Sequence, residues 1–336
     1  MKKYIAHAGI HLGSTAATQN SLRSVELAAA AGFDYCELDI HFTSDGIPVA
    51  VHNRSLNETY RKIKDYTTPE EEINVGEYTL AKLRENYIGR AVHPEHRAEI
   101  PTLEECLVLT KKLEIIPMIH PKLVDAASVN TIMDVCDAVM GAGNYVIVAE
   151  NAACEHAVGR DPNQPVMPVI TDMSEVDYWS SFPNSIIAIR FSQDYEDLVA
   201  YAHERKHLVE TTLNRDIRAH LLADVINYDY LSPGRFELYE NITEYSLPTQ
   251  SLQKGDILTL TDNRTVSYGT AELCFTLCGE AELTVCGQKY SIEASEPTEY
   301  RAPVLIFEKK ADVVLVAVSD AKIIDMQLRV GEHPVA

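Results

Sequence analysis

Eight short apolar runs with helical stretches between them fill roughly the first 240 residues and constrain the fold more than any other feature. The runs lie at 4–7, at the end of 28–39, and at 115–119, 145–149, 166–170, 186–189, 207–212 and 225–231. Helical spacing is plainest at 21–31, 102–112, 126–142 and 195–205, and Thr102 with Glu105 three residues on is a capping signature. Parallel strands need a crossover connection, so alternation of this length implies a parallel sheet. Eight units close it into a (β/α)8 TIM barrel of the α/β class.

The pattern changes near residue 240. Beyond it come short β-branched runs at 256–260, 272–277, 281–285, 289–292, 304–307, 313–318 and 323–328, broken by Gly, Asp, Asn and Pro. These predict a C-terminal all-β sandwich, jelly-roll-like, over 245–336. The barrel takes 1–240, with a polar insertion at about 53–100 expected over its C-terminal mouth. The β module is expected to support assembly or present substrate, which leaves a homo-oligomer open.

Composition narrows the partners. With 50 acidic against 29 basic side chains, the formal net charge is -21. Such a surface repels nucleic acid and anionic membranes, so neither is an expected partner. The chain leads from Met1 straight into its first strand, so no signal peptide is expected. Seven cysteines without regular spacing fit a reducing, cytoplasmic setting, and Cys274, Cys278 and Cys286 read as buried small hydrophobes.

Four residues in the first 52 point to chemistry. Glu37 and Asp39 end the second run and, two apart on a strand, project to one side, where a cation would relieve their repulsion. His7 closes the first run and His52 closes 47–52, just after the turn Ser44-Asp45-Gly46. Two imidazoles beside two carboxylates suit acid/base work next to a metal. Other acids, bases and amides at strand ends are His120, Lys122, Glu150, Asp172, Arg190, Glu210 and Asn214.

His7-Ala-Gly, Gln19-Asn20-Ser21, Gly32-Phe-Asp-Tyr-Cys-Glu37-Leu-Asp39, Asp45-Gly46-Ile-Pro-Val-Ala-Val-His52-Asn53 and Ile100-Pro-Thr-Leu-Glu-Glu105 follow in order. In this the chain resembles the glycerophosphodiester phosphodiesterase family over roughly 4–236. The resemblance implies a TIM barrel with an insertion after the second strand, a catalytic pair at His7 and His52, and metal ligands at Glu37 and Asp39. It also shows departures. Ala8 stands where the family has a phosphate-holding Arg, and Gln19 where it has Glu. Asn53 replaces the Asp of a His-Asp pair, and His120-Pro121-Lys122 replaces Glu-Ile-Lys, so His120 takes the place of the third metal carboxylate.

The implied activity is hydrolysis of a phosphodiester of glycerol or of a sugar or polyol by a phosphoric diester hydrolase. Lys122, Arg190, Glu150 and Asn20 are the expected substrate contacts. The cofactor would be a divalent metal, Mg²⁺ or Ca²⁺, or Mn²⁺ if His120 is a ligand. Loss of the Arg and Glu at Ala8 and Gln19 predicts a roomier, less cationic pocket with a sugar or polyol beside Ala8. Two other readings stay open: the same histidines and metal acting on a non-phosphate substrate such as a glycoside, and a non-catalytic binding protein.

Overall fold

The structure is a computed structural model and describes residues 3–11, 17–30, 32–91, 94–149, 151–189, 195–212, 222–228, 239–261, 269–285, 288–306 and 312–334. Contacts divide the chain into two compact units, Met1–Leu213 with Ala223–Ser232, and Asn214–Leu222 with Pro233–Ala336.

The first unit is a closed parallel barrel. Its strands are β1 (Lys3–Ala6), β2 (Tyr35–Phe42), β3 (Ile116–Pro121), β4 (Val146–Ala149), β5 (Val166–Ile170), β6 (Ile186–Ile189), β7 (Leu208–Thr212) and β8 (Val225–Tyr228). Each pairs with the next, and β1 pairs with both β8 and β2, which closes the ring. Helices α1 (Leu22–Ala30), α2 (Leu103–Lys112), α3 (Ala126–Met140), α4 (Asn151–Arg160), α5 (Met173–Trp179) and α6 (Tyr195–Glu204) lie between strands. The start of α2 is held by the reciprocal bonds that its sequence predicts: Glu105 N–H donates to Thr102 Oγ1 at 3.1 Å, and Thr102 N–H to Glu105 Oε2 at 2.7 Å. Inside the ring, Ile5, Tyr35, Met118, Val148 and Val225 form a packed apolar layer. Among the described residues no helix is long and apolar enough to cross a membrane.

The insertion follows a short arm, Pro48–Ala50, paired antiparallel with β2. Strands Tyr60–Lys62 and Tyr87–Gly89 pair with each other, and Leu80–Asn86 is helical. It has its own small core, with Leu56, Tyr60, Ile73 and Leu83 buried. The loop that follows β1 holds it in place: Gln19 Nε2 donates to Thr59 Oγ1 at 2.8 Å, and Thr18 Oγ1 to the Arg90 carbonyl at 3.2 Å. That loop leaves the C-terminal end of β1, so the insertion reaches the mouth of the barrel.

The second unit is one seven-stranded antiparallel sheet. Its strands are β9 (Tyr239–Leu247), β10 (Gln250–Leu252), β11 (Ile257–Thr261), β12 (Gly269–Val285), β13 (Gln288–Ile306), β14 (Asp312–Ala317) and β15 (Ala321–Pro334). The expected all-β character is found, but the strands differ from the sequence reading. The runs 272–277 and 281–285 are one strand, because Gly279 takes φ +120° and carries the chain through a bulge instead of a turn. A Cβ there would lie 2.7 Å from that of Ala321. One edge of β12 follows β13, and the other is shared between β15 and β14. Leu273, Phe275, Leu283, Leu315 and Ile323 are fully buried in its core. Cys274 and Cys278, expected to be buried, are only partly so.

Gly89 is the tightest point of the insertion, since a Cβ there would run into the Thr18 side chain. Gly89→Ala should therefore lower stability by roughly 1–3 kcal/mol, as overpacking does, and adding Thr18→Ala should recover part of that loss. Thermal unfolding of the two single variants and the double variant checks the coupling.

Candidate active site

The site is built from the C-terminal ends of β1, β2, β3 and β8 and from the residues just beyond the arm Pro48–Ala50. Glu37 and Asp39 point to one side of β2 and are buried, at 5% and 0% exposure. Asp39 lies opposite His120 in the β2–β3 register. His120 Nδ1 is 3.1 Å from Glu37 Oε1 and 3.2 Å from Asp39 Oδ1, and Lys122 Nζ is 2.7 Å from the same Asp39 oxygen. That lysine approaches off the line of a hydrogen bond, so Asp39 Oδ1 is ion-paired yet makes no hydrogen bond.

Amides hold both carboxylates in place. Asn20 Nδ2 donates to Asp39 Oδ2 at 2.8 Å, while the Asp39 N–H donates to Asn20 Oδ1 at 2.9 Å. Asn20 manages this from the left-handed region, φ +57°, which Asn tolerates better than most residues. Asn227, on β8, donates through Nδ2 to Glu37 Oε2 at 2.9 Å. Its own Oδ1 is buried and has no partner, a condition that costs about 1–3 kcal/mol if nothing meets it.

The electrostatics follow from burial opposed by contact. Burial pushes the Asp39 carboxyl up, but the His120 contact and the Lys122 ammonium outweigh it and hold it well below the usual range. Glu37 is also pushed up by burial and brought down further by His120 and His7. Burial lowers His120, but its close contacts with the Asp39 and Glu37 carboxylates more than reverse that, so its proton is held to higher pH than in a free imidazole.

The His7 and His52 rings face each other edge to face, with centroids 6.0 Å apart. His52 Nδ1 is 2.8 Å from Asn53 Oδ1, and Asn53 Nδ2 donates to Glu58 Oε2 at 3.0 Å. A carboxylate oxygen can only accept, so the bond to Glu58 fixes which way the Asn53 amide points. Asn53 Oδ1 must then accept, which places an N–H at His52 Nδ1, so that in the neutral tautomer Nε2 is the nitrogen with the lone pair.

Behind the carboxylates lies a cavity of about 140 Å³, lined by His7, Glu37, His120, Glu210 and Asn227 and by an apolar wall. A larger hollow of about 630 Å³ sits among Tyr35, Ile116, Ile186 and Leu208 and holds none of these residues. Those four are at the starts of strands, so it opens at the other end of the barrel.

The model of one family, described as the glycerophosphoryl diester phosphodiesterase family, matches residues 11–216. The chain belongs to that family. A 55-residue stretch is 47% identical to human glycerophosphodiester phosphodiesterase 1 but spans only 16% of either chain. A glycerophosphodiester phosphodiesterase structure from Agrobacterium tumefaciens aligns at TM-score 0.54 and 17% identity, covering 68% of this chain and 97% of that one. An Oleispira antarctica phosphodiesterase, solved with the product sn-glycerol-3-phosphate, aligns at 0.53 and 18%, covering 68% and 93%. At these identities the structures share the barrel fold with this family member.

Of the residues expected from sequence, the structure brings together Glu37, Asp39, His120, Lys122 and Asn20, with His7 and His52 as a facing pair. Glu150, Arg190 and Asn214 lie outside the described residues. Asn20, expected to contact substrate, bonds to Asp39 through both ends of its amide. Asp172 is exposed and caps α5, accepting from the N–H groups of Ser174 and Glu175. Ala8, beside which a roomier pocket is expected, is wholly buried and does not line the cavity of about 140 Å³. The sequence reading missed Asn227. The available signal was a polar residue two positions from Val225 in an otherwise apolar strand, which turns it to the barrel interior.

The residues fit a divalent cation. Glu37, Asp39 and His120 offer ligand atoms within 4.8 Å of one another, and Asp39 Oδ1 is a buried acceptor without a hydrogen bond. An imidazole in the set suits Mn²⁺ or Zn²⁺ better than Mg²⁺ or Ca²⁺. Proton and metal compete for His120, so the affinity for Mn²⁺ should rise as pH is raised through its elevated pKa and fall below it. Calorimetric titration at several pH values checks the slope, and Glu37→Gln or Asp39→Asn should each weaken binding by more than about tenfold.

Proposed function

We propose that this chain is a metal-dependent phosphodiesterase that hydrolyses a phosphodiester of glycerol or another polyol, with His7 and His52 as its acid/base pair. The observation that carries the reading is the His7–His52 pair, 6.0 Å between ring centroids, beside the buried Glu37, Asp39 and His120 cluster. Glycosidases instead rely on two carboxylates spaced across the scissile bond. Here the two acids are clamped to a histidine and a lysine on neighbouring strands.

Glu37, Asp39 and His120 would hold the cation, which when bound polarises a phosphoryl oxygen. The chain's own residues do the rest. His52 Nε2 carries a lone pair and acts as general base towards the attacking hydroxyl, either of water or of the substrate. Asn53, itself held by Glu58, keeps that tautomer in place of the aspartate usual in the family. His7 gives its proton to the leaving alkoxide. With no arginine at position 8, Lys122 supplies the nearby positive charge for the phosphodiester monoanion. The Oleispira relative's product, sn-glycerol-3-phosphate, supports a small alcohol phosphate as the group handled at such a site.

His7→Ala and His52→Ala should each lower kcat by about 10²–10⁴-fold on glycerophosphodiesters. Asn53→Leu should lower kcat less, because it frees the tautomer without removing the base. Steady-state kinetics with Mn²⁺ added and with EDTA measure all three, and a histidine variant that retained most of its activity would remove that residue from the mechanism.

A further inference from the structure

We propose that Asn227 Oδ1, on a residue that lines the cavity, is a binding point for a hydroxyl group of the substrate alcohol. The proposal rests on the phosphodiesterase reading above and says where the alcohol half of the substrate goes.

Asn227 Oδ1 is an acceptor with nothing to accept. Asn227 is 3% exposed, and its orientation is fixed because Nδ2 donates to the Glu37 carboxylate at 2.9 Å. Its Oδ1 therefore cannot exchange places with the nitrogen, and that oxygen is buried without a partner. The same residue lines the cavity of about 140 Å³, well above the roughly 10–15 Å³ that one water needs. A partnerless acceptor on a residue that lines open space calls for a donor from outside the protein.

The lining says what kind of donor. Glu37 and Glu210, both buried, share the cavity with Asn227, with His7 and His120 also in its lining, so carboxyl oxygens stand beside the amide oxygen. A phosphate oxygen or a carboxylate would meet these oxygens acceptor to acceptor. The anion therefore belongs towards His7, His52 and Lys122. Val148, Met167 and Ala188 supply an apolar wall that suits the carbons of a short chain. A hydroxylated carbon chain of about glycerol's size satisfies both surfaces, with one hydroxyl on Asn227 Oδ1. This also moves the polyol from the buried Ala8 to β8, the strand paired with β1.

The test uses the Mn²⁺-loaded full chain and compares glycerol 3-phosphate with n-propyl phosphate, which lacks both hydroxyls, by calorimetric titration. The wild type should prefer the hydroxylated ligand by on the order of tenfold, the worth of one good hydrogen bond. In Asn227→Ala that preference should fall to within about twofold. If Asn227 only steadied Glu37, both ligands would weaken together with their ratio unchanged, and the proposal would be overturned. Equal binding of the two ligands by the wild type overturns it without any variant, which covers a variant that fails to fold. Tighter binding of phosphoethanolamine than of glycerol 3-phosphate overturns it in favour of an ammonium group. Because the readout is binding, a preference lost with Asn227→Ala supports the subsite even if no phosphodiester is turned over, a result that would defeat only the preceding reading.

Discussion

Two carboxylates on one buried face of β2 set the terms for the rest of the site. Glu37 and Asp39 would repel each other inside a barrel that shields charge poorly, and leaving buried charges uncompensated is strongly destabilising. The structure answers with contacts from every side. His120 bridges the two acids, Lys122 pairs with Asp39, and the amides of Asn20 and Asn227 hold the outer oxygens. They come from the end of β3, from β8 and from the loop after β1, so the cluster forms only when the ring closes. A cation bound there would take over work now done by the Lys122 ammonium, which ties metal binding to a side chain that can also face an anion.

The insertion extends that logic beyond the barrel. Glu58 and Thr59 belong to it, and through Asn53 and Gln19 they touch both His52 and the loop that carries Asn20. Where the family has an arginine and a glutamate, this chain has a wholly buried Ala8 and a neutral Gln19 that bonds to the insertion. The charge lost from the first βα unit is thus not replaced in place. The polar reach of the cavity lies instead towards β7 and β8, at Glu210 and Asn227.

Much of the barrel was legible because buried parallel strands read as near-continuous apolar runs, and the runs at 166–170 and 186–189 match β5 and β6 end for end. Thr102 and Glu105 marked a helix start because the two bonds that cap it involve only local residues. The β unit was harder, since whether Gly279 turns the chain or lets a strand run on depends on Ala321, more than forty residues away in sequence. The site divides in the same way. His7, Glu37, Asp39 and His52 stood out as polar residues closing apolar runs, whereas Asn227 gains meaning only from Glu37, 190 residues earlier. Asp172 misled because a strand-end acid and a helix cap look alike until the helix is seen.

The central claim is that the acids on β2, with His120, form a metal site beside the histidine pair. Anomalous diffraction from a crystal soaked in Mn²⁺ tests it most directly. The account predicts a single strong peak bounded by Glu37, Asp39 and His120, with Lys122 drawn away from Asp39 Oδ1. A peak elsewhere, or none with Lys122 still seated on Asp39, would contradict it.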